Sequence, residues 1–257
     1  MIPQLPWLLD ILRCPQTGER LQVQGNSLLR PDGKSYPILD GIPSLVYPPN
    51  PIGRDASWQH FYDWYAPIYD FNTRFFWRIF MGLDIRKERT HIISLLRLQK
   101  GMRILEVSPG PGVYQPEIRS VVGNCAEFAS VDLSLGMLKQ CQKRNRALNV
   151  SLLQGNGSNL PFADDSFDAL FHFGGINLFE NPGRALNEFV RVVCKGGIVS
   201  WGEEGLSASF PDGWKKRFLV RTNPGHLDQR LPIPKGLLNI REIEVFGGFA
   251  YLIVANK

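Results

Sequence analysis

The chain has 257 residues, of which 44% are hydrophobic and 21% are charged, a balance typical of a folded globular protein and not of a disordered chain. No apolar run approaches the roughly 18–20 residues that span a bilayer, and the first residues lack the pattern of a signal peptide. The net charge is +5 and the cysteines lie scattered without disulfide or metal spacing, so we expect a cytoplasmic protein whose basic residues mostly cover solvated helix faces.

The first predicted unit is a small β-rich leader at residues 1–47, which ends at a proline-rich linker at 47–51. Its sequence begins with a short helix and a knuckle-like turn around Cys14. Three short strands are predicted after this turn, at 21–23, 27–29 and 35–38. A tetrahedral zinc site needs four nitrogen or sulfur ligands, whereas the next cysteine is Cys125. We therefore expect no metal here and a small hydrophobic core within the leader.

Residues 48–100 are predicted to form a linker and a mostly helical lid that is rich in aromatic residues. Tyr65 and Tyr69 are four residues apart, so they lie one helical turn apart on the same face if Pro67 occupies a first turn. This spacing favours an aromatic cage that accepts a planar or apolar ligand. Helix packing is the other interpretation of most of these aromatic residues.

A strand followed by a glycine-rich turn at residues 103–112 is the strongest signal in the chain. The strand carries Glu106 and runs into a turn that contains Gly110 and Gly112, where the missing Cβ atoms let a ligand approach the backbone. A second strand ends in Asp132, twenty residues after Gly112, which is the spacing at which doubly wound folds place an acid on ribose hydroxyls. The motif therefore indicates a cofactor that contains a nucleoside.

The same turn argues against a cofactor that contains pyrophosphate. Pro109 and Pro111 each remove a backbone N–H that a pyrophosphate would need, and Glu106 would repel a phosphate but attract an ammonium group. A zwitterionic amino-acid cofactor fits this turn better than a dinucleotide. A hydride-transferring dehydrogenase is consequently the least favoured class.

The rest of the chain has the alternation of helices and strands expected of an α/β fold. The predicted elements are a helix to about residue 146, strands at 150–153 and 198–201, a strand that ends at His172, a helix at 209–220, and strands at 240–246 and 249–255. The last two strands are predicted to pair as a hairpin across a two-residue turn, Gly247 and Gly248.

This order of motifs, from residue 101 to residue 207, resembles the core of class I S-adenosylmethionine-dependent methyltransferases, and most closely the branch that contains the menaquinone and ubiquinone methyltransferases. The resemblance implies a doubly wound, Rossmann-like α/β fold at residues 101–257, with a seven-stranded, mostly parallel sheet that ends in an antiparallel hairpin. It also implies S-adenosylmethionine as the cofactor, S-adenosylhomocysteine as the product, and no metal.

The resemblance assigns the cofactor contacts to the motif residues. Glu106 would bind the methionyl end, Asp132 the ribose and Asn156 the exocyclic amine of adenine. The complete set of implied cofactor-binding residues is Tyr69, Glu106, Ser108, Gly110, Gly112, Asp132, Leu133, Met137, Asn156, Gly157 and Phe173. The family usually has Gly in place of Ser108 and Asp in place of Asn156, although the amide of Asn156 still offers an acceptor.

Methyl transfer from a sulfonium needs a nucleophile held close in a dry pocket, and it needs a base only where the acceptor must lose a proton. In this architecture ligands lie at the carboxyl ends of the strands. The fourth strand delivers His172, a candidate general base because imidazole titrates near neutral pH. The candidate substrate-binding residues are Tyr65, Asn177, Glu203 and Glu204. The two acids would suit a cationic or amine acceptor.

The acceptor class depends on what surrounds this core. The leader resembles the zinc-ribbon-like module that precedes the catalytic domain of some rRNA guanine methyltransferases, but it lacks the zinc ligands. No long insertion is available to build a polymer-binding surface, so a small molecule is the preferred acceptor. An RNA base methyltransferase and a non-catalytic scaffold that binds the cofactor are the alternatives. The sequence leaves open the acceptor's identity, the methylated atom and the oligomeric state.

Overall fold

The computed structural model describes residues 6–67, 76–222, 227 and 230–257. Its helices are α1 (Pro6–Ile11), α2 (Gly53–Tyr65), α3 (Ile85–Leu95), α4 (Gln115–Val122), α5 (Leu135–Arg144), α6 (Pro182–Val192) and α7 (Trp214–Thr222), with a π-helical turn at Phe76–Met81. Its strands are β1 (Gln22–Gln24), β2 (Ser27–Leu29), β3 (Ser35–Leu39), β4 (Ile42–Pro43), β5 (Ile104–Val107), β6 (Phe128–Asp132), β7 (Ser151–Gln154), β8 (Phe167–Phe173), β9 (Val193–Glu204), β10 (Leu238–Val245) and β11 (Ala250–Asn256). Tyr69, a predicted cofactor-binding residue, lies outside the described residues.

Strands β5 to β11 form the main sheet, in the order β7-β6-β5-β8-β9-β11-β10. The first five of these strands in spatial order run parallel, and β11 is antiparallel to both β9 and β10. The predicted α/β fold with a mostly parallel seven-stranded sheet and a final antiparallel hairpin is therefore confirmed. The strand order reverses between β5 and β8, and such a switch point is where open α/β sheets bind ligands.

The central strand β5 is fully buried, which explains why its sequence is an apolar run with a single acid. Its side chains alternate between the two faces of the sheet. Leu105 and Val107 pack in the hydrophobic core on one face, whereas Ile104 packs in the core on the other. Glu106 shares the face of Ile104 and lies one residue before the end of the strand. The only acid of the strand is thus placed beside the switch point.

The leader forms a four-stranded antiparallel sheet in the order β1-β2-β3-β4. Its three predicted strands are present within one residue of their predicted bounds. The apolar residues of the leader belong to a larger core, because Leu8 and Leu12 are fully buried in the same hydrophobic core as Leu105 of β5. The Oγ of Ser44 also donates a 2.7 Å hydrogen bond to Oε1 of Gln154 at the end of β7. The leader therefore packs onto the main sheet.

The knuckle-like turn of the leader holds a buried thiol, since the Sγ of Cys14 lies 3.2 Å from the hydroxyl of Tyr36. Across the described part of the chain, no three His, Cys, Asp or Glu side chains are grouped so as to hold a metal ion. The zinc-ribbon resemblance of the leader and the division of the chain after residues 47 and 100 stay predictions.

The connection between β10 and β11 differs from the predicted two-residue turn. It has four residues and includes Phe246 and Phe249 besides Gly247 and Gly248. Gly248 has a φ of +82°, and a Cβ there would lie 2.6 Å from the Oγ of Ser207, so this close approach requires glycine. Both phenylalanines line the cavity at the switch point. The longer connection thus adds two aromatic side chains to the site.

Helix α7 begins five residues later than the predicted helix at 209–220. None of the helices within the described ranges combines the length and the apolar character that crossing a bilayer demands. The cytoplasmic location stays a prediction.

Candidate functional site

A cavity of about 310 Å³ lies at the carboxyl ends of β5, β6, β8 and β9, and helix α2 contributes to its wall. The predicted site residues that line it are Glu106, Ser108, Gly110, Asp132, Leu133, Met137, Phe173, Asn177, Glu203 and Glu204. The predicted site residues that do not line it are Tyr65, Gly112, Asn156, Gly157 and His172. The strands therefore bring most of the predicted residues together at one place.

The turn after β5 is held in a left-handed conformation by β6. Ser108 has a φ of +54°, which is uncommon for a residue with a Cβ, and it occupies the position where the family it resembles usually has Gly. The N–H of Ser108 donates to the carbonyl of Val131 at 2.7 Å, and the N–H of Gly110 donates to Oδ2 of Asp132 at 3.0 Å. These two bonds compensate for the backbone strain at Ser108 and fix the turn at the cavity edge.

Asp132 ends β6 with both carboxylate oxygens anchored. Oδ2 accepts from Gly110, and Oδ1 accepts from the N–H of Ser134 at 2.9 Å. Burial raises the pKa of Asp132 to about 6 in spite of these bonds. No cation among the described residues pairs with this carboxylate. Its remaining lone pairs are available to hydroxyl donors of a ligand in the cavity.

Glu106 lies deeper in the same cavity. Its Oε2 accepts hydrogen bonds from Nε2 of Gln115 and Oγ of Ser130, each at 3.1 Å. Burial raises the pKa of Glu106 to about 7. Sequence analysis missed Gln115 and Ser130, because neither belongs to the glycine-rich motif. A buried carboxylate without a cationic partner among the described residues suits a positively charged ligand.

The structure gives Gly112 a packing role, and its predicted contact with a cofactor stays a prediction. Its carbonyl accepts a 2.7 Å hydrogen bond from Nδ2 of Asn145, which follows helix α5. A Cβ on Gly112 would overlap this amide and would lie 2.5 Å from Sγ of Cys141. The φ of Gly112 is +73°, a region that side chains rarely adopt. Glycine is thus required where the turn packs against α5.

We predict that Gly112→Ala lowers the free energy of unfolding by about 2–4 kcal/mol, because overpacking adds to left-handed backbone strain. Gly82→Ala is the matched control, since Gly82 has the same φ of +73° but nothing within 4 Å of a Cβ. Urea unfolding of both variants measures the difference. Equal losses in the two variants would show that backbone strain alone acts at Gly112.

Asn156 does not line the cavity, because its side chain is engaged within the protein. Nδ2 donates to Oδ2 of Asp55 at 2.8 Å, and Oδ1 accepts from the N–H of Ser158 at 2.8 Å. Asp55, on helix α2, lines the cavity instead. Gly157 is likewise a packing position, since a Cβ there would lie 2.5 Å from a ring carbon of Phe179. The structure therefore places Asp55, and neither Asn156 nor Gly157, in the cavity wall, and the predicted contacts of these two residues with a cofactor stay predictions.

Both ends of helix α2 are bound to the core by carboxylates. The N–H of Glu180 donates to Oδ1 of Asp55 at 2.9 Å, while Oε2 of Glu180 accepts from the N–H of Arg54 at 2.7 Å. Near the other end, Oδ1 of Asp63 accepts from Oγ of Ser134 at 2.6 Å. Because these bonds cross to the segments that follow β6 and β8, they hold α2 beside the cavity. No local sequence signal pairs residues this far apart in the chain.

The aromatic residues of α2 that reach the cavity differ from the predicted ones. Trp58 and Tyr62 line the cavity, whereas Tyr65 stacks on Phe61 with the ring centroids 5.3 Å apart. Trp58 and Tyr62 have the same four-residue spacing as Tyr65 and Tyr69. Spacing alone therefore could not choose between the two pairs.

His172 is fully buried and faces away from the cavity. Its Nδ1 lies 2.9 Å from the carbonyl oxygen of Val107, and its ring packs against Phe179 and Phe189. Burial lowers the pKa of His172 to about 4. These features do not suit a general base, so this prediction is corrected. The alternation of side chains along β8 could have predicted this orientation. Phe173 lines the cavity, so its neighbour His172 must point to the other face of the sheet.

Glu203 lines the cavity but orders the adjacent loop. Oε1 accepts from the N–H of Gly175 at 3.3 Å and from the N–H of Glu204 at 3.0 Å. Oε2 accepts from the N–H of Asn177 at 3.3 Å. Burial raises the pKa of Glu203, and the backbone amides of residues 175–177 and of Glu204 act in the opposite direction. The carboxylate thus fixes the loop after β8, including Asn177, in the cavity wall.

Glu204 differs from its neighbour, because its carboxylate accepts no hydrogen bond from the described residues. Its side chain is accessible to solvent and lines the cavity. Although Glu204 is exposed to solvent, the crowded cavity wall desolvates its carboxylate, and this desolvation, followed by the charge of Glu203, raises the pKa of Glu204 to about 7. The aromatic residues of the cavity wall are Trp58, Tyr62, Tyr114, Phe171, Phe173, Phe179, Phe246 and Phe249. A carboxylate that titrates near neutral pH beside aromatic rings is able to exchange a proton with a ligand.

Residues 105–200 match the methyltransferase domain family. This segment runs from β5 into β9 and carries Glu106, the glycine-rich turn and Asp132. The match supports the resemblance of the core to class I methyltransferases. It does not extend to the leader or to helix α2.

Two curated relatives and one solved structure are similar to this chain. The chain is 32% identical over 112 residues to the demethylmenaquinone methyltransferase of Staphylococcus epidermidis, a match that covers 43% of the chain and 46% of that protein. It is 29% identical over 180 residues to the ubiquinone/menaquinone biosynthesis C-methyltransferase UbiE of Campylobacter jejuni, covering 68% of the chain and 72% of that protein. The chain thus spans about half the length of the Staphylococcus relative.

The solved structure is phosphoethanolamine N-methyltransferase 2 of Haemonchus contortus in complex with S-adenosyl-L-methionine. The two sequences are 15% identical, and the structures superimpose with a TM-score of 0.53. The matched part covers 66% of this chain and 52% of the Haemonchus chain. At this identity the likeness establishes the fold alone.

Proposed function

We propose that this chain is an S-adenosylmethionine-dependent methyltransferase that acts on a small, largely apolar acceptor. The observation that carries the proposal is the pair of buried carboxylates, Glu106 and Asp132, which line one cavity without a cationic partner among the described residues. An ammonium group and ribose hydroxyls complement these two acids better than a phosphate does. The methyltransferase domain match over residues 105–200 supports the same reaction class.

The cavity offers residues that suit each part of the cofactor, namely its ammonium group, its ribose and its adenine. Glu106 would bind the ammonium group, Asp132 the ribose hydroxyls, and Asp55 the adenine side, which Leu133 and Met137 border. When bound there, S-adenosylmethionine supplies an electrophilic methyl group on a sulfonium sulfur. Helix α2 would then help to keep the reacting centre dry, because both of its ends are bound to the core.

The acceptor would occupy the side of the cavity lined by aromatic rings and by Glu204. Rings from β8 and from the connection between β10 and β11, among them Phe173, Phe246 and Phe249, offer a flat apolar surface. Glu204 would accept the proton that the acceptor loses as it gains the methyl group. Glu203 would hold the loop with Asn177 against the acceptor. The names of the quinone-biosynthesis relatives agree with a planar, apolar acceptor.

The first test is calorimetry with S-adenosylmethionine and S-adenosylhomocysteine. We expect affinity in the micromolar range for both, and affinity should fall by up to about tenfold for each pH unit below about 7, because the pKa of Glu106 lies near 7 and only its carboxylate attracts ammonium. Binding near that pH should also release protons, since a bound cation lowers the pKa of Glu106. Titrations in buffers of different ionisation enthalpy measure this release.

Glu106→Gln is the control, because the amide keeps the shape but carries no charge. We expect weaker binding with a smaller pH dependence and a smaller proton release, because only Asp132, whose pKa is about 6, then titrates among the two proposed cofactor carboxylates. Failure of the original protein to bind either nucleoside would overturn the proposed function. Transfer of a labelled methyl group that nuclease treatment of the substrate abolishes would instead favour an RNA acceptor, and binding without transfer to any extract would favour a scaffold.

A further inference from the structure

Helix α7 presents an exposed stripe of alternating aromatic and basic residues. Trp214, Arg217, Phe218 and Arg221 follow the spacing i, i+3, i+4 and i+7, which places them on one face of a helix. All four are exposed, and the side chains of Trp214 and Phe218 are 61% and 49% accessible. Leu219 is buried and anchors the opposite face. The helix therefore buries Leu219 in the core but leaves two large aromatic side chains exposed to solvent.

The exposed aromatic residues of α7 pack against a residue of the π-helical turn. The ring of Phe80 packs against Trp214 and against Phe218, with centroid distances of 5.4 Å in both cases. Ile79, the neighbour of Phe80, is 65% accessible. The structure thus presents a supported apolar patch with arginines beside it. We call Trp214, Arg217, Phe218 and Arg221 the α7 face.

The charge of this region is one-sided. The sequence of α7 contains four basic residues and no acid. Lys216 pairs with Asp212 at 2.7 Å, and Lys215 lies over the ring of Trp214 at 5.9 Å. Arg217 and Arg221 form no ion pair with the described residues. Two arginines therefore remain available to anionic groups beside the exposed rings.

We propose that the α7 face docks on the surface of an anionic lipid bilayer. Tryptophan, phenylalanine and isoleucine side chains insert at the boundary between headgroups and acyl chains, while arginines pair with lipid phosphates. An RNA strand would use the arginines and stack on the rings, but it offers no partner for the exposed aliphatic Ile79. The exposed aromatic and basic side chains of the α7 face, with the exposed aliphatic Ile79 next to the supporting residue Phe80, complement a bilayer better than a nucleic acid.

The position of the face also connects it with the cavity. Phe80 supports the face and Ile85, five residues later, lines the cavity, so the chain between them spans at most roughly 18 Å. An apolar acceptor dissolved in a bilayer would therefore have a short path to the aromatic side of the cavity. This path rests on the proposed function, whereas docking on the bilayer does not.

The test is sedimentation of the full chain with vesicles of phosphatidylcholine alone and of phosphatidylcholine with phosphatidylglycerol. We expect binding to the anionic vesicles to be at least about tenfold stronger than to the neutral ones and to weaken with salt. Two double variants divide the face: Trp214→Ser with Phe218→Ser removes the rings, and Arg217→Glu with Arg221→Glu reverses the charge. Each should lose binding by at least about tenfold.

The matched control is Leu238→Ser with Ile240→Ser, which removes two exposed apolar side chains from the edge strand β10. It should bind vesicles as the original chain does. Equal binding to neutral and anionic vesicles, an equal loss in the control, or no sedimentation at all would each overturn the proposal. So would tighter binding to RNA than to anionic vesicles that the double variants abolish.

Affinity for S-adenosylhomocysteine, measured on the same preparations, separates this proposal from the proposed function. Unchanged affinity in the double variants also shows that they are folded. Loss of vesicle binding with intact nucleoside binding is the expected pattern, and failure of nucleoside binding in the original chain leaves the vesicle result unaffected.

Discussion

Glu204→Gln is expected to lower the rate of methyl transfer by at least about 100-fold while it leaves the affinity for S-adenosylhomocysteine nearly unchanged. The amide preserves the size of the side chain but accepts no proton. Glu204 suits this role because it lines the cavity, its carboxylate is not consumed by hydrogen bonds from the described residues, and its pKa is raised to about 7. Steady-state kinetics and calorimetry on the same variant separate turnover from binding.

The pH profile provides the second readout for Glu204. A base must be deprotonated, so kcat/KM should rise with pH and level off above about 7. The other ionisable groups that line the cavity are Asp55, Tyr62, Arg89, Glu106, Tyr114, Asp132 and Glu203. Glu106 titrates in the same range, so the profile is measured at saturating cofactor to isolate the acceptor side.

Glu203→Gln is the matched control for Glu204. Glu203 accepts three backbone N–H bonds, so the amide should reduce stability and loosen the loop with Asn177, but it should keep the pH dependence. A Glu204→Gln variant with full activity and an unchanged pH profile would remove the acid–base role from the proposed mechanism.

Asp132→Ala is expected to weaken the binding of S-adenosylmethionine and S-adenosylhomocysteine by at least about 100-fold. Loss of two hydrogen bonds from ribose hydroxyls to a charged acceptor costs about 3 kcal/mol, which corresponds to this factor. The variant also removes the acceptor that holds Gly110 and Ser134, so the glycine-rich turn loses an anchor. Calorimetry measures the affinity, and thermal unfolding reports any loss of the fold.

Asp132→Asn refines the same prediction. Its single oxygen can accept from Gly110 or from Ser134 but not from both, so we expect an affinity between those of the original chain and the alanine variant. Asp164→Ala, which removes an exposed acid that pairs with Arg191 away from the cavity, is the control. A loss of affinity in this control equal to that of Asp132→Ala would argue against a specific ribose contact.

The parts of the site that the sequence predicts well are those set by local pattern. Glu106 lies next to the end of β5 and Asp132 ends β6, and the carboxyl ends of such buried parallel strands meet at one edge of the sheet. The sequence also predicts which side chains of β8 face the cavity, because alternation along a strand places His172 and Phe173 on opposite faces of the sheet. The three leader strands, bounded by turn residues, were predictable for the same local reason.

The parts that the sequence does not predict depend on contacts between distant segments. Asp55 meets Asn156 across 101 positions of the chain, and nothing near either residue signals the pair. Gly112 looks like a ligand-contacting glycine until Asn145 and Cys141 are seen to pack against it. Close packing and long-range hydrogen bonds determine the roles of these residues, and neither produces a periodic pattern in the sequence.

The hydrophobic core that the leader shares with the main sheet has a consequence for how the chain can be cut or recombined. Leu8 and Leu12 cover apolar side chains of the central sheet, and Ser44 bonds its edge at Gln154. Removal of the leader at the linker would expose apolar side chains of the main sheet to solvent and promote aggregation. We therefore expect the leader to stabilise the main sheet, so that the two parts of the chain would not fold independently.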